Sequence, residues 1–188
     1  MLLLDTFHSV RYAGVIGCLL IGACAGFNAK DDLPVVSSVD LSRYAGTWYE
    51  IARLPAWFQR RCVDSQALYT VRSDGKIDVH NTCLTDKRNT DSATGVATVM
   101  DTKTNARLNV VFDNWFARLF GSSHEGNYWI LDLDPEYRAA LVGTPDRRHL
   151  WILARSPRLD EPTFQRLVSK GRALGYPVDE LILDRRLS

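Results

Sequence analysis

Apolar and polar positions alternate along most of this chain, in short runs separated by turn residues. These signals divide the body into eight strand-like segments, at about 45–53, 63–72, 76–83, 93–101, 105–112, 127–133, 137–144 and 149–155. A helical pattern follows. Asp160-Glu161-Pro162 gives an acidic start with proline near the first turn, and Phe164, Leu167, Val168 and Leu174 fall near one face. Gly175 and Pro177 end that helix, and Leu181-Ile182-Leu183 reads as a short last strand. Strands in an unbroken row with one late helix predict an all-β fold. It is an eight-stranded antiparallel up-and-down barrel with one C-terminal α-helix packed outside.

The connections differ between the two ends of such a meander. Ser73–Lys76, Thr102–Asn105 and Asp134–Glu136 are tight turns at one end. At the other lie 54–62, 84–92, 113–126 and 145–148; three of these are long, and two carry aromatics, Trp57 and Phe58, then Trp115, Phe116 and Phe120. Closing the barrel sets the first strand beside the last. That brings the guanidinium of Arg155 to the indole of Trp48, a cation–π plug across the short-turn end. The expected object is a cup, pinned shut below and rimmed with loops above, wide enough inside for one small ligand.

Strand period assigns faces to the wall. With Trp48 inward, Glu50 and Ala52 point in as well, and Tyr49 and Ile51 point out. A buried carboxylate must be paired, hydrogen-bonded or protonated. Glu50 is therefore either a polar contact for a ligand head group or an internal anchor to a tyrosine such as Tyr69. Parity groups Trp151 and Leu153 with Arg155, and on the sixth strand it separates Tyr128, Ile130 and Asp132 from Trp129, Leu131 and Leu133. Glu50, Tyr69, Trp129 and Trp151 are the candidate ligand contacts in the wall. On the rim, Arg60, Arg118 and Arg148 are candidates to receive an anionic lipid head.

Composition narrows the choice further. The chain has 188 residues, a 46% apolar fraction and a net charge of +1, enough for one well-buried core and no field that would draw nucleic acid. Past the N-terminus, no segment is apolar over the ~20 residues that a membrane-spanning helix needs. Residues 12–27 carry no charge and follow Arg11, the pattern of a secretory signal. Removing that segment leaves Cys62 and Cys83, and two cysteines in an exported chain predict a disulfide. Straight hairpin register sets Cys83 nearer Gln66 than Cys62, so the bond requires a bend near Arg60–Cys62. The alternative is a reactive thiol at one of them. No Ser/His/Asp or Cys/His set is spaced as a catalytic unit, and His80, His124 and His149 form no close ligand pair. No catalytic residue, metal or cofactor is expected.

Two resemblances add to this reading. Ile21-Gly22-Ala23-Cys24 resembles the lipobox of bacterial lipoproteins, in which Cys24 is lipidated after cleavage before it. It implies a signal peptide over 1–23, a lipidated N-terminus and tether over 24–40, and the barrel with its helix over 41–188. Ala25 implies sorting to the outer membrane rather than retention at the inner one; the periplasmic face is the expected side. Gly46-x-Trp48, the Asp134-Pro135-Glu136-Tyr137 turn after Tyr128–Leu133, and Arg155 match in order and spacing the three signature regions of the lipocalins. The sequences around them look like the bacterial outer-membrane lipocalins close to apolipoprotein D. That resemblance implies an eight-stranded calyx holding a fatty acid or lysophospholipid, for storage or transport. A lipid-modifying enzyme using a rim thiol, and an envelope interaction or stress protein with an incidental cavity, stand as alternatives. A homodimer is left open.

Overall fold

The computed structural model describes residues 33–113 and 125–184. The eight expected strands are present: β1 (Gly46–Arg53), β2 (Cys62–Val71), β3 (Ile77–Thr85), β4 (Thr90–Val99), β5 (Arg107–Phe112), β6 (Tyr128–Leu133), β7 (Ala139–Gly143) and β8 (Leu150–Ala154). Each pairs antiparallel with the next, and β1 pairs with both β2 and β8, which closes the barrel. A ninth strand, β9 (Ile182–Leu183), adds to β1 from outside. One connection is shorter than the sequence pattern suggests. β3 runs to Thr85 and β4 starts at Thr90, so the expected long loop over 84–92 is a tight turn with Arg88 at φ 63°.

The helix α2 (Glu161–Ala173) starts where the sequence places it. Asp160 caps it by accepting from Thr163 N at 2.9 Å, and Gly175, at φ 83°, ends it. Its inner face buries Leu167, Val168 and Gly171 against the outer side of the barrel, among Ile51, Trp129, Leu141, Leu150 and Ile152. Strands β1, β6, β7 and β8 are thus apolar on both faces. One face meets the helix and the other fills the lower barrel.

Residues 33–40, expected within a tether, pack on the barrel instead. Leu33 and Val39 are buried, Val36 N donates to Ile130 O at 3.0 Å, and Val39 N donates to Thr104 O at 2.7 Å. A short helix follows, α1 (Leu41–Tyr44), capped by Asp40 and placing Tyr44 inside the barrel base. Cys24 and the rest of the expected signal lie outside the described residues, as do Trp115, Phe116, Arg118 and Phe120.

Candidate functional site

One end of the barrel is sealed by Arg155. Its guanidinium carbon sits 4.1 Å from the Trp48 ring centroid. Its nitrogens donate to five carbonyls: Tyr137 O at 3.3 Å, Thr47 O at 2.9 Å, Arg43 O at 2.6 Å, Tyr44 O at 3.0 Å and Ala45 O at 2.8 Å. Trp48 Nε1 donates to Tyr44 O at 2.8 Å, so α1 is tied to the same plug. Gly46 is required here: it lies at φ +96°, and a Cβ on it would meet Arg155 Nη1 at 3.2 Å. The cation–π plug expected from the sequence is therefore formed, and five carbonyl contacts reinforce it.

Above the plug lies a layer of three tyrosines. The Tyr128 hydroxyl meets Tyr44 at 2.8 Å and Tyr69 at 3.1 Å. Burial pushes the Tyr69 phenol up to about 12 and raises Tyr44 and Tyr128 well above the usual range. This layer floors a cavity of about 440 Å³ that extends up to the rim residues Phe58, Arg61 and Asp91. Val79, Val110, Leu153 and Phe112 give it apolar wall, and Glu50, Ser65, Asn81 and Asn127 supply polar groups.

Glu50, Tyr69 and Trp151 line the cavity as the strand faces imply. The carboxylate of Glu50 is buried and met by Arg53 Nη1 at 3.3 Å and Gln59 Nε2 at 3.0 Å. Arg53 also donates to the carbonyls of Gln59 at 2.9 Å and Cys62 at 3.1 Å, and Trp151 Nε1 donates to Gln59 Oε1 at 3.1 Å. The internal anchor expected for Glu50 is real in kind, with Arg53 and Gln59 as partners. A β-bulge between Glu50 and Ala52 makes this possible. It shifts the strand by one residue, so Ala52 joins Ile51 under the helix, against the inward expectation, and Arg53 takes the inward place.

One further expectation is corrected. Trp129 is not in the cavity wall. It is buried on the outer face of β6, beneath Arg107 at 4.2 Å from guanidinium to ring centroid, and its Nε1 donates to Glu125 O at 2.9 Å. Its inward neighbour Tyr128 lines the cavity instead. Arg148 is 80% exposed beside Asp146 and is not part of the lining. The rim does gather aromatics that sequence spacing kept apart. His149 stacks on Trp151 with centroids 5.8 Å apart and an 11° tilt, and lies 5.5 Å from the Phe58 ring. Burial lowers the His149 pKa.

Cys62 and Cys83 form the expected disulfide, with Cα atoms 5.5 Å apart. The bend is a bulge at Val63: Cys62 pairs with Thr85 and Ser65 with Cys83. The bond fastens the first rim loop to β3, and it occupies both thiols offered as an alternative nucleophile.

The family model described as a lipocalin-like domain matches residues 39–186. The chain is 39% identical over 156 residues to temperature-induced lipocalin-1 of Arabidopsis thaliana, covering 81% of this chain and 82% of that protein. It is 36% identical over 171 residues to the outer membrane lipoprotein Blc of Citrobacter freundii, covering 90% and 92%. Among solved structures, lobster apocrustacyanin A1 superposes with a TM-score of 0.59 at 12% identity, over 81% of this chain and 89% of that one. With the plugged eight-stranded barrel, its outer helix and these matches together, the chain belongs to the lipocalin family.

Proposed function

We propose that this protein holds a single lipid amphiphile in its barrel cavity at the cell envelope. The observation that carries the reading is the cavity itself. About 440 Å³ of mostly apolar space, sealed below by Trp48 and Arg155 and reaching the rim above, falls within the range of small-molecule sites. Each methylene buried there contributes ~0.8 kcal/mol before the costs of binding, so an acyl chain reaches useful affinity with few polar contacts. Glu50, Tyr69 and Trp151 are its proposed contacts in the wall.

The envelope setting rests on two supports. The relative of Citrobacter freundii is an outer membrane lipoprotein matched over 90% of this chain. The Ile21–Cys24 motif offers Cys24 for lipidation and Ala25 for sorting to the periplasmic face of the outer membrane. Growth with an alkyne-tagged fatty acid tests the anchor: label retained on Cys24→Ala protein would reject it.

Native mass spectrometry with lipid extraction, on processed chain purified without detergent, tests the carrier reading. A co-purifying fatty acid or lysophospholipid is the expected result. Empty protein that also refuses added lipids would overturn it in favour of an interaction protein whose cavity is incidental.

A further inference from the structure

Beneath the tyrosine layer lies a second, smaller space of about 20 Å³, roughly the room that one water needs. Its lining is mainly apolar, with Leu41, Ala45, Ile77, Ala97 and Leu108 around it. Tyr69 and Tyr128 border this space and the main cavity alike. Tyr69 stands on β2 and Tyr128 on β6, which lie opposite each other in the eight-stranded ring. Their side chains reach across the barrel until the hydroxyls meet at 3.1 Å. The two rings are therefore the partition between the spaces.

The partition is braced from below. Tyr128 also bonds to the Tyr44 hydroxyl at 2.8 Å, and the Tyr69 ring stacks on Tyr44 with centroids 5.8 Å apart. Tyr44 in turn lies 4.9 Å from the Trp48 ring, which Arg155 holds in the plug. Each ring rests on the next, so the layer does not yield to a chain end pressing on it.

Charge sets the direction in which an amphiphile enters. Arg61 and Asp91, the half-exposed charges of the lining, stand at the rim, whereas the floor is aromatic. A charged head stays in water at the mouth and the tail runs down to the tyrosines. Each methylene buried above the layer raises affinity about fourfold before other costs. A methylene too many meets packed rings and adds nothing. We infer that Tyr69 and Tyr128 are specificity-determining residues that fix the longest acyl chain the cavity takes up. The inference rests on the lipid-binding reading above and adds a tail length to it. Withdrawing one ring joins the lower space, which the small side chains of Ala45 and Ala97 leave open, to the main cavity.

The test titrates laurate, myristate, palmitate, stearate and arachidate, each two methylenes longer than the last. They displace cis-parinarate from the processed chain carrying Cys24→Ser. In the unaltered barrel, affinity should climb about tenfold or more per step and then level off within the series. Tyr69→Ala should move the plateau out by at least one step, so the first chain past the original plateau gains about tenfold or more. Tyr69→Leu, shorter than tyrosine by the far half of the ring, should move it the same way should the alanine variant not fold. Leu167→Ala, which loosens the packing under α2 and not the cavity, should leave the plateau in place. No plateau in the unaltered barrel, an unmoved plateau in the Tyr69 variants, or an equal shift in Leu167→Ala would overturn the length stop and leave lipid binding standing. Failure of every fatty acid to bind would remove the lipid-binding reading and this inference with it.

Discussion

Replacing Arg155 by methionine isolates what the plug contributes. The guanidinium makes five carbonyl contacts and stacks 4.1 Å from the Trp48 ring, and methionine keeps much of the stem while deleting all of these. A hydrogen bond from a charged donor is worth ~1.5–3 kcal/mol net, and a cation–π contact adds ~0.5–2 kcal/mol. The contacts share three nitrogens and are not additive. Tyr44 O keeps a second donor in Trp48 Nε1. Two effective charged bonds plus the stack give a loss of about 3.5–8 kcal/mol. That is a large part of the ~5–15 kcal/mol available to a domain. Lysine should recover only a fraction, because an ammonium cannot span carbonyls from Thr47 to Tyr137 or lie flat on the indole. Urea unfolding followed by tryptophan fluorescence measures it, with the shift taken at constant slope. A loss below about 1 kcal/mol for Arg155→Met, or full recovery by lysine, would refute the account of the plug.

Other consequences are equally direct. Reducing the Cys62–Cys83 bond, which joins residues 21 apart, should cost ~3 kcal/mol of stability and loosen the Gln59 loop; an unchanged midpoint in reductant would contradict this. Glu50→Leu or Arg53→Met alone should each destabilise by ~3–5 kcal/mol by stranding a buried charge, while the double variant should lose less than either, and strictly additive losses would argue against a coupled pair. At alkaline pH the tyrosine layer becomes a liability. The unfolded phenols ionise near ~10, whereas Tyr69 holds its proton to about 12, so stability should fall as pH rises through that window. Tyr69→Phe should flatten the decline, and a wild-type midpoint that stays level up to pH ~12 would count against the buried layer.

How far the sequence reveals this molecule depends on which interactions are local. Alternation and turn residues mark all eight strands, because period-two burial repeats in every strand whatever it pairs with. The helix boundaries were legible from Asp160 and Gly175, and the plug from the spacing of Trp48 and Arg155 once a barrel is assumed. Bulges were not. The shift between Glu50 and Ala52 is a property of β1 against β8, and nothing in Glu50-Ile51-Ala52-Arg53 alone shows that Arg53 turns inward. For Trp129, parity separates it from Tyr128 without saying which of the two faces the cavity. The signal that decides it is that β6, β7 and β8 are apolar on both faces, so one face must lie under the helix.

Most of the irregularities collect in the upper half of the barrel; the register shift between Ile130 and Asp132 on β6 lies lower, below Tyr128. Below the tyrosine layer β1 and β2 pair in simple register, and side chains fill the interior. Above it β1 parts from β2 after Tyr49–Gln66, and the chain end repairs the seam. Asp184 N donates to Ile51 O at 3.0 Å, and its carboxylate accepts from Ser65 N at 2.9 Å. On β2 the bulge at Val63 brings the disulfide together, and on the far side Asn127 stands in for missing β5–β6 pairs. A barrel with full pairing to the top would leave these backbone groups satisfied by strands and the space between them filled. Here side chains satisfy them instead, which lets the strands spread around a cavity without orphaned amides. That cost-sharing explains why the polar residues of the upper wall are mostly occupied with backbone or with each other.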